Sequence, residues 1–135
     1  MNLSTNAILL YSLVGAVFLV YLPFLVVGYA RVSVGYDIGA PRAMFDKLPA
    51  YAQRATWAHQ NSWEALIIFG SASLMAYVTN VNSPLATGAA LTFLVVRSFY
   101  SLFYITNIAL LRSLMFAIGS TCSFTLFALS LLQIQ

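Results

Sequence analysis

Residues Gln53 to Glu64 form the one dense polar cluster that runs directly into a long apolar stretch, Ala65 to Val78. That stretch is 14 residues. A helix rises about 1.5 Å per residue, and crossing the hydrocarbon of a bilayer takes roughly 20 residues. Ala65 to Val78 is therefore too short alone. A helix that spans must begin near Ala58, which draws His59, Gln60, Asn61 and Glu64 to or below the membrane surface. A carboxylate there is costly unless it faces protein and has a partner, which makes it a functional-site candidate by default.

The rest of the chain obliges the cluster to sit in a membrane. Of its 135 residues 61% are hydrophobic and 7% charged, and its mean hydropathy is +0.89. No soluble domain of this size has that composition; it marks a polytopic membrane protein. The apolar segments predict an all-α bundle of four transmembrane helices, at about 6–30, 51–78, 85–108 and 111–132, forming a single domain over 1–135. The first segment lacks a basic n-region and a small-residue cleavage pattern, so it is expected to stay as a transmembrane helix. Pro23 removes a backbone donor from its interior and predicts a kink. The net charge of +3 comes from scattered residues, too few for a nucleic-acid surface. Cys122 is the one cysteine and lies in an apolar run.

Orientation follows from charge. The segment Arg31 to Arg54, broken by Gly35, Gly39, Pro41 and Pro49, is read as the one substantial loop. It carries Arg31, Arg42, Lys47 and Arg54 against Asp37 and Asp46, a net of +2. The turn from Thr79 to Pro84 carries no charge. The positive-inside rule places the long loop in the cytoplasm and both termini on the opposite side.

Two helical stripes then share a depth. Arg54, Asn61 and Glu64 fall seven and three apart on the second helix. Arg97, Tyr100 and Tyr104 fall three and four apart on the third. The short turn makes these helices antiparallel neighbours, so both stripes lie in the cytoplasmic half, where Arg112 opens the fourth helix. Guanidinium groups suit carboxylates, a glutamate suits an ammonium, and asparagine and tyrosine suit peptide groups. The inventory fits a small peptide-like zwitterion with excess negative charge, and a nearby cation favours thiolate over thiol. The plainer reading is an interhelical ion pair between Arg97 and Glu64, with Arg54, Tyr100 and Tyr104 as interface markers and Arg112 as an orientation anchor. His59 has no second histidine or cysteine near it, so no metal site is expected, and a helix–helix hydrogen bond is the expected role.

The sequence resembles the MAPEG family, membrane-associated proteins in eicosanoid and glutathione metabolism, and is most similar to its short bacterial members. The resemblance runs through Gly39 to Arg42, Gln53 to Ala55 and Ala58 to Ala65, then Arg97, Tyr100, Tyr104 and Leu111 to Ser113. It implies a homotrimer of four-helix subunits, in a bacterial inner membrane, that binds glutathione as cosubstrate between neighbouring subunits near the cytoplasmic face. By position, Asn61 and Glu64 would hold the glutathione backbone and amino group, and Arg97, Tyr100 and Tyr104 its polar groups. Arg112 would stabilise the thiolate, with Arg97 beside it. Mammalian members usually carry an arginine where Trp57 stands here, and Arg54, one turn earlier, takes its place in the expected site. Leukotriene synthase has a tyrosine where Ala65 stands. The implied activity is transfer of glutathione to lipophilic electrophiles, or peroxide reduction. The alternative on the same fold is a noncatalytic lipid-binding or scaffold protein. A small multidrug transporter would need an acidic residue deep in the first helix, which has none.

Overall fold

A computed structural model describes residues 3–135, and over them the chain is helical. Helix α1 spans Thr5–Ser33, α2 Ala50–Val78, α3 Pro84–Ile105 and α4 Ala109–Gln133. A single 3₁₀ turn, Phe45–Lys47, interrupts the α1–α2 connection.

The four expected helices are all present, with ends set by local chemistry. Ser4 caps α1 by accepting the amide of Ala7 at 3.2 Å, and Ser83 caps α3 by accepting that of Ala86 at 3.1 Å, with Pro84 as first helical residue. Asn80 and Asn107 stop α2 and α3 in the left-handed conformation, at φ 56° and 63°. After each, the next amide reaches back to a carbonyl one turn inside: Val81 to Ala76 at 3.0 Å, Ile108 to Phe103 at 2.9 Å. Gly35, φ 87°, follows the end of α1 in the same way. The helices therefore depart from the expected bounds. α3 ends three residues short of Ile108, at Ile105, because Asn107 turns the chain. α1 runs on to Ser33, so Arg31 lies on a helix, and Arg54 lies well inside α2. The loop proper is residues 34–49.

α1 and α4 each pack against both α2 and α3. Small residues on α2 let α1 approach: Ala72 and Ala76 are fully buried, and the Ser73 hydroxyl donates to the Leu9 carbonyl at 3.0 Å. On the other side Phe69 of α2 stacks on Phe93 of α3, with centroids 3.8 Å apart and planes 5° from parallel. α1 continues as one helix through the buried Pro23.

The outer surface is apolar. Phe18, Leu25, Ile67 and Phe124 are all at least 64% exposed, a pattern that belongs against acyl chains rather than water. α1, α3 and α4 are each long and apolar enough to cross a membrane. α2 is as long as α1, at 29 residues, but its first half carries the polar cluster. Glu64 is its fifteenth residue, the midpoint.

Candidate functional site

The centre of the site is the Arg97 side chain. Its residue is only 5% exposed, and its guanidinium crosses from α3 to α2. Nη1 donates to the Asn61 Oδ1 at 3.1 Å and Nη2 to the Ser62 hydroxyl at 3.2 Å. The guanidinium carbon lies 4.1 Å from the centroid of the Tyr100 ring, within cation–π range. Asn61 turns its amide the other way, donating to the Glu64 Oε2 at 3.1 Å. Arg97 and Glu64 are thus joined through Asn61; the link considered from the sequence as an ion pair is relayed by an amide. Glu64 itself is exposed on the protomer surface.

The row continues along α3 and α4. Tyr100 and Tyr104 meet edge to face at 5.6 Å, and the Arg112 guanidinium lies 4.7 Å from the Tyr104 ring centroid. Phe116, one turn after Arg112, is 6.4 Å from Tyr100. Two phenols therefore lie between two cations in the row Arg97, Tyr100, Tyr104, Arg112.

Arg54 stands apart from this row. Its Nε donates to the Ile105 carbonyl at 2.9 Å, the last residue of α3, where a helix end has unpaired carbonyls and negative partial charge. One of its five N–H donors is used there. Trp57 is exposed and stacks obliquely on Phe45 of the 3₁₀ turn, with centroids 5.7 Å apart.

Ser62 is the partner that sequence spacing missed. Its hydroxyl donates to Ala58 at 2.8 Å and accepts from Arg97. A signal existed: Ala55, Ala58, Ser62 and Phe69 make a buried face of α2, and Ser62 is the polar group among them.

A recess of about 130 Å³ lies beside Arg97, between α2, α3 and α4. Asn61, Glu64 and Arg97 line it together with Phe93, Phe116 and Gly119. On the opposite side of α2 is a larger cavity of about 880 Å³ bounded by α1, the loop and α2, with Arg31, Arg42, His59 and Trp63 on its wall. His59 spans α1 and α2, as expected: its Nδ1 lies 2.7 Å from the Val20 carbonyl. A carbonyl only accepts, so Nδ1 carries the proton, and Nε2 accepts from the Trp63 indole at 3.4 Å. Val20 is adjacent to Leu19, whose carbonyl loses its helical donor at Pro23.

A family model, the MAPEG family, matches residues 8–132, nearly the whole chain. The chain belongs to the MAPEG family. Neither the curated proteins nor the solved structures give a match. Membership fixes the chain as an integral membrane protein of that family, and its four-helix bundle and apolar outer surface accord with this. Within this MAPEG bundle Asn61, Glu64, Arg97, Tyr100, Tyr104 and Arg112 form one connected surface on α2, α3 and α4, while Arg54 ties α2 to the end of α3.

Proposed function

We propose that this MAPEG protein is a glutathione-dependent transferase or peroxidase acting on lipophilic electrophiles. The observation that carries the reading is Arg97: a buried guanidinium whose hydrogen bonds go to two neutral groups, Asn61 and Ser62. A buried charge without a directly paired counter-charge is costly, and an anionic ligand offsets that cost. Glutathione offers two carboxylates, one ammonium, two peptide groups and a thiol. Glu64 takes the ammonium, Asn61 the peptide backbone, and Tyr100 and Tyr104 its remaining polar groups. Arg97 and Arg112 hold the sulfur as thiolate, so that it attacks a substrate arriving from the bilayer. Arg54 steadies the cytoplasmic end of the site through α3.

Glu64 and part of Arg112 are open at the protomer surface. This supports a homotrimer in which a neighbouring subunit closes over the ligand. The charged loop supports a site that faces the cytoplasm, and the resemblance to short bacterial members supports a bacterial inner membrane. The second reading, a noncatalytic lipid binder, draws on an apolar groove of about 510 Å³ between α3 and α4, lined by Leu85, Gly88, Ile118 and Cys122.

Glutathione titration of the detergent-solubilised protein, read by ultraviolet difference absorption for thiolate, separates the two. The expected result is a saturable thiolate signal at neutral pH. In Arg112→Ala, signal and conjugation are lost while the oligomer stays intact. Unchanged turnover in Arg112→Ala refutes the thiolate role of that residue. Absence of signal in the native protein, with saturable binding of an apolar ligand, favours the lipid binder.

A further inference from the structure

The apolar groove of about 510 Å³ between α3 and α4 lies away from the Arg97 row. These helices are joined by a short turn and run antiparallel, so the groove's walls extend from Pro84 and Thr125 at one end to Thr92 and Ala117 at the other. Eight residues of helix separate the ends on each wall, about 12 Å of rise. Half of the hydrocarbon thickness is about 15 Å. Pro84 opens α3 directly after the α2–α3 turn, at the membrane surface, so the groove runs from that surface towards the midplane. Arg97 lies five residues beyond Thr92, so the groove stops short of the polar site.

Its chemistry calls for a hydrocarbon. Leu85, Ala89 and Ile118 line it beside the buried Cys122. The hydroxyl of Thr121 donates to the Ala117 carbonyl at 2.9 Å, and that of Thr125 to the Thr121 carbonyl at 2.8 Å, so neither offers a proton to a ligand. Gly88 leaves the wall open: a Cβ added there meets no atom within 4 Å. Size then separates the occupants. Over its length the groove has a mean cross-section of about 40 Å², half that of a helix about 10 Å across, so a helix of a second copy is too wide. A dry cavity of about 150 Å³ holds the six carbons of benzene, and by that measure this groove holds roughly twenty chain carbons. At its mouth the first turn of α3 carries unpaired amides and positive partial charge, which complement a phosphodiester at the membrane surface. We infer that the groove is a binding site for one phospholipid of the leaflet at the α2–α3 turn, with an acyl chain laid along Gly88 and Cys122. The site is independent of the glutathione reading and holds whether or not the bundle is catalytic.

The test uses the full chain in nanodiscs of phosphatidylethanolamine and phosphatidylglycerol, doped with a phosphatidylethanolamine that carries a photoactivatable diazirine in one acyl chain. Adducts are mapped by mass spectrometry after illumination. The expected result is labelling concentrated on residues 84–92 and 117–125, above that at Val95 and Leu102, which are exposed on α3 outside the groove. Gly88→Leu fills the groove from α3 and Thr121→Leu fills it from α4. Each is expected to lower labelling of the groove roughly tenfold or more, the scale of displacing two or more buried methylenes, with labelling at Val95 and Leu102 and the helical circular dichroism unchanged. Labelling spread evenly over the exposed surface, and unaltered in both variants, overturns the site and leaves only passing bilayer lipid. Equal labelling of the groove by a diazirine fatty acid, competing with the phospholipid, overturns the assignment to a phospholipid. A disulfide between copies, formed by Gly88→Cys in a Cys122→Ala background, overturns it in favour of a second copy of the chain.

Discussion

At the residue scale, Arg97 does two jobs with different energetic weights. Its bonds to Asn61 and Ser62 cross between helices, and such bonds inside membranes contribute about 0.6 kcal/mol on average. Ser62→Ala is therefore expected to cost about that much, a small change in thermal midpoint in detergent. Arg97→Lys removes the planar fork that reaches both partners at once. It leaves the helical circular dichroism unchanged and weakens glutathione binding roughly tenfold or more, the scale of losing a charged hydrogen bond; calorimetric titration measures it. Equal glutathione affinity in Arg97→Lys contradicts the proposed site. The spacing of Arg97, Asn61 and Glu64 was readable because residues three, four and seven apart share a helix face. What spacing could not supply is which group meets which. Whether Arg97 reaches Glu64 directly or through Asn61 depends on about an ångström of helix rotation, which no periodicity records. Arg54 illustrates the same limit: its place on the stripe was visible, and its use at the end of α3 depends on where α3 stops.

At the element scale, the helix ends are where sequence and structure part. The apolar runs located all four helices, since hydrophobicity is averaged over many residues. The stops are decided by single residues. Asn80 and Asn107 hold left-handed backbone, which costs most L-residues about 1–2 kcal/mol and glycine almost nothing. Asn80→Ala is expected to lower the thermal midpoint, and Asn80→Gly to leave it unchanged or raise it slightly; thermal unfolding of both variants in one detergent checks the pair. Equal midpoints would mean that the turn relaxes to another conformation. His59 works at this scale too, fastening α2 to α1 through Val20. His59→Phe keeps the ring volume and removes that bond, so its expected loss is about 1 kcal/mol, read by the same unfolding measurement.

At the scale of the whole molecule, composition alone placed the chain in a membrane, and family membership agrees with the bundle. Sidedness is the next measurable property. The loop at residues 34–49 carries Arg42 and Lys47, and the positive-inside rule predicts that it faces the cytoplasm. With Cys122 changed to alanine, a single cysteine introduced as Asp46→Cys is expected to react with an impermeant maleimide in inside-out vesicles and to resist it in intact spheroplasts. The reverse pattern would move the Arg97 site to the other side of the membrane and away from a cytoplasmic thiol pool.

The polar first half of α2 also bears on how the chain is made. During synthesis each helix is offered to the bilayer in turn. A charge at the centre of a segment costs about 2.5–3.5 kcal/mol on insertion, as much as roughly four to twelve leucines return at about 0.3–0.6 each. Glu64 sits at the midpoint of α2, and the partners that shield its neighbourhood, Arg97 and Tyr100, are translated later. α2 is thus the helix least able to enter on its own. A nascent chain halted before α3 is expected to leave it outside the hydrocarbon, while a chain that includes α3 carries it in. The proposed site receives Arg97, Tyr100 and Tyr104, on this account, from the same late-arriving helix that carries α2 into the membrane.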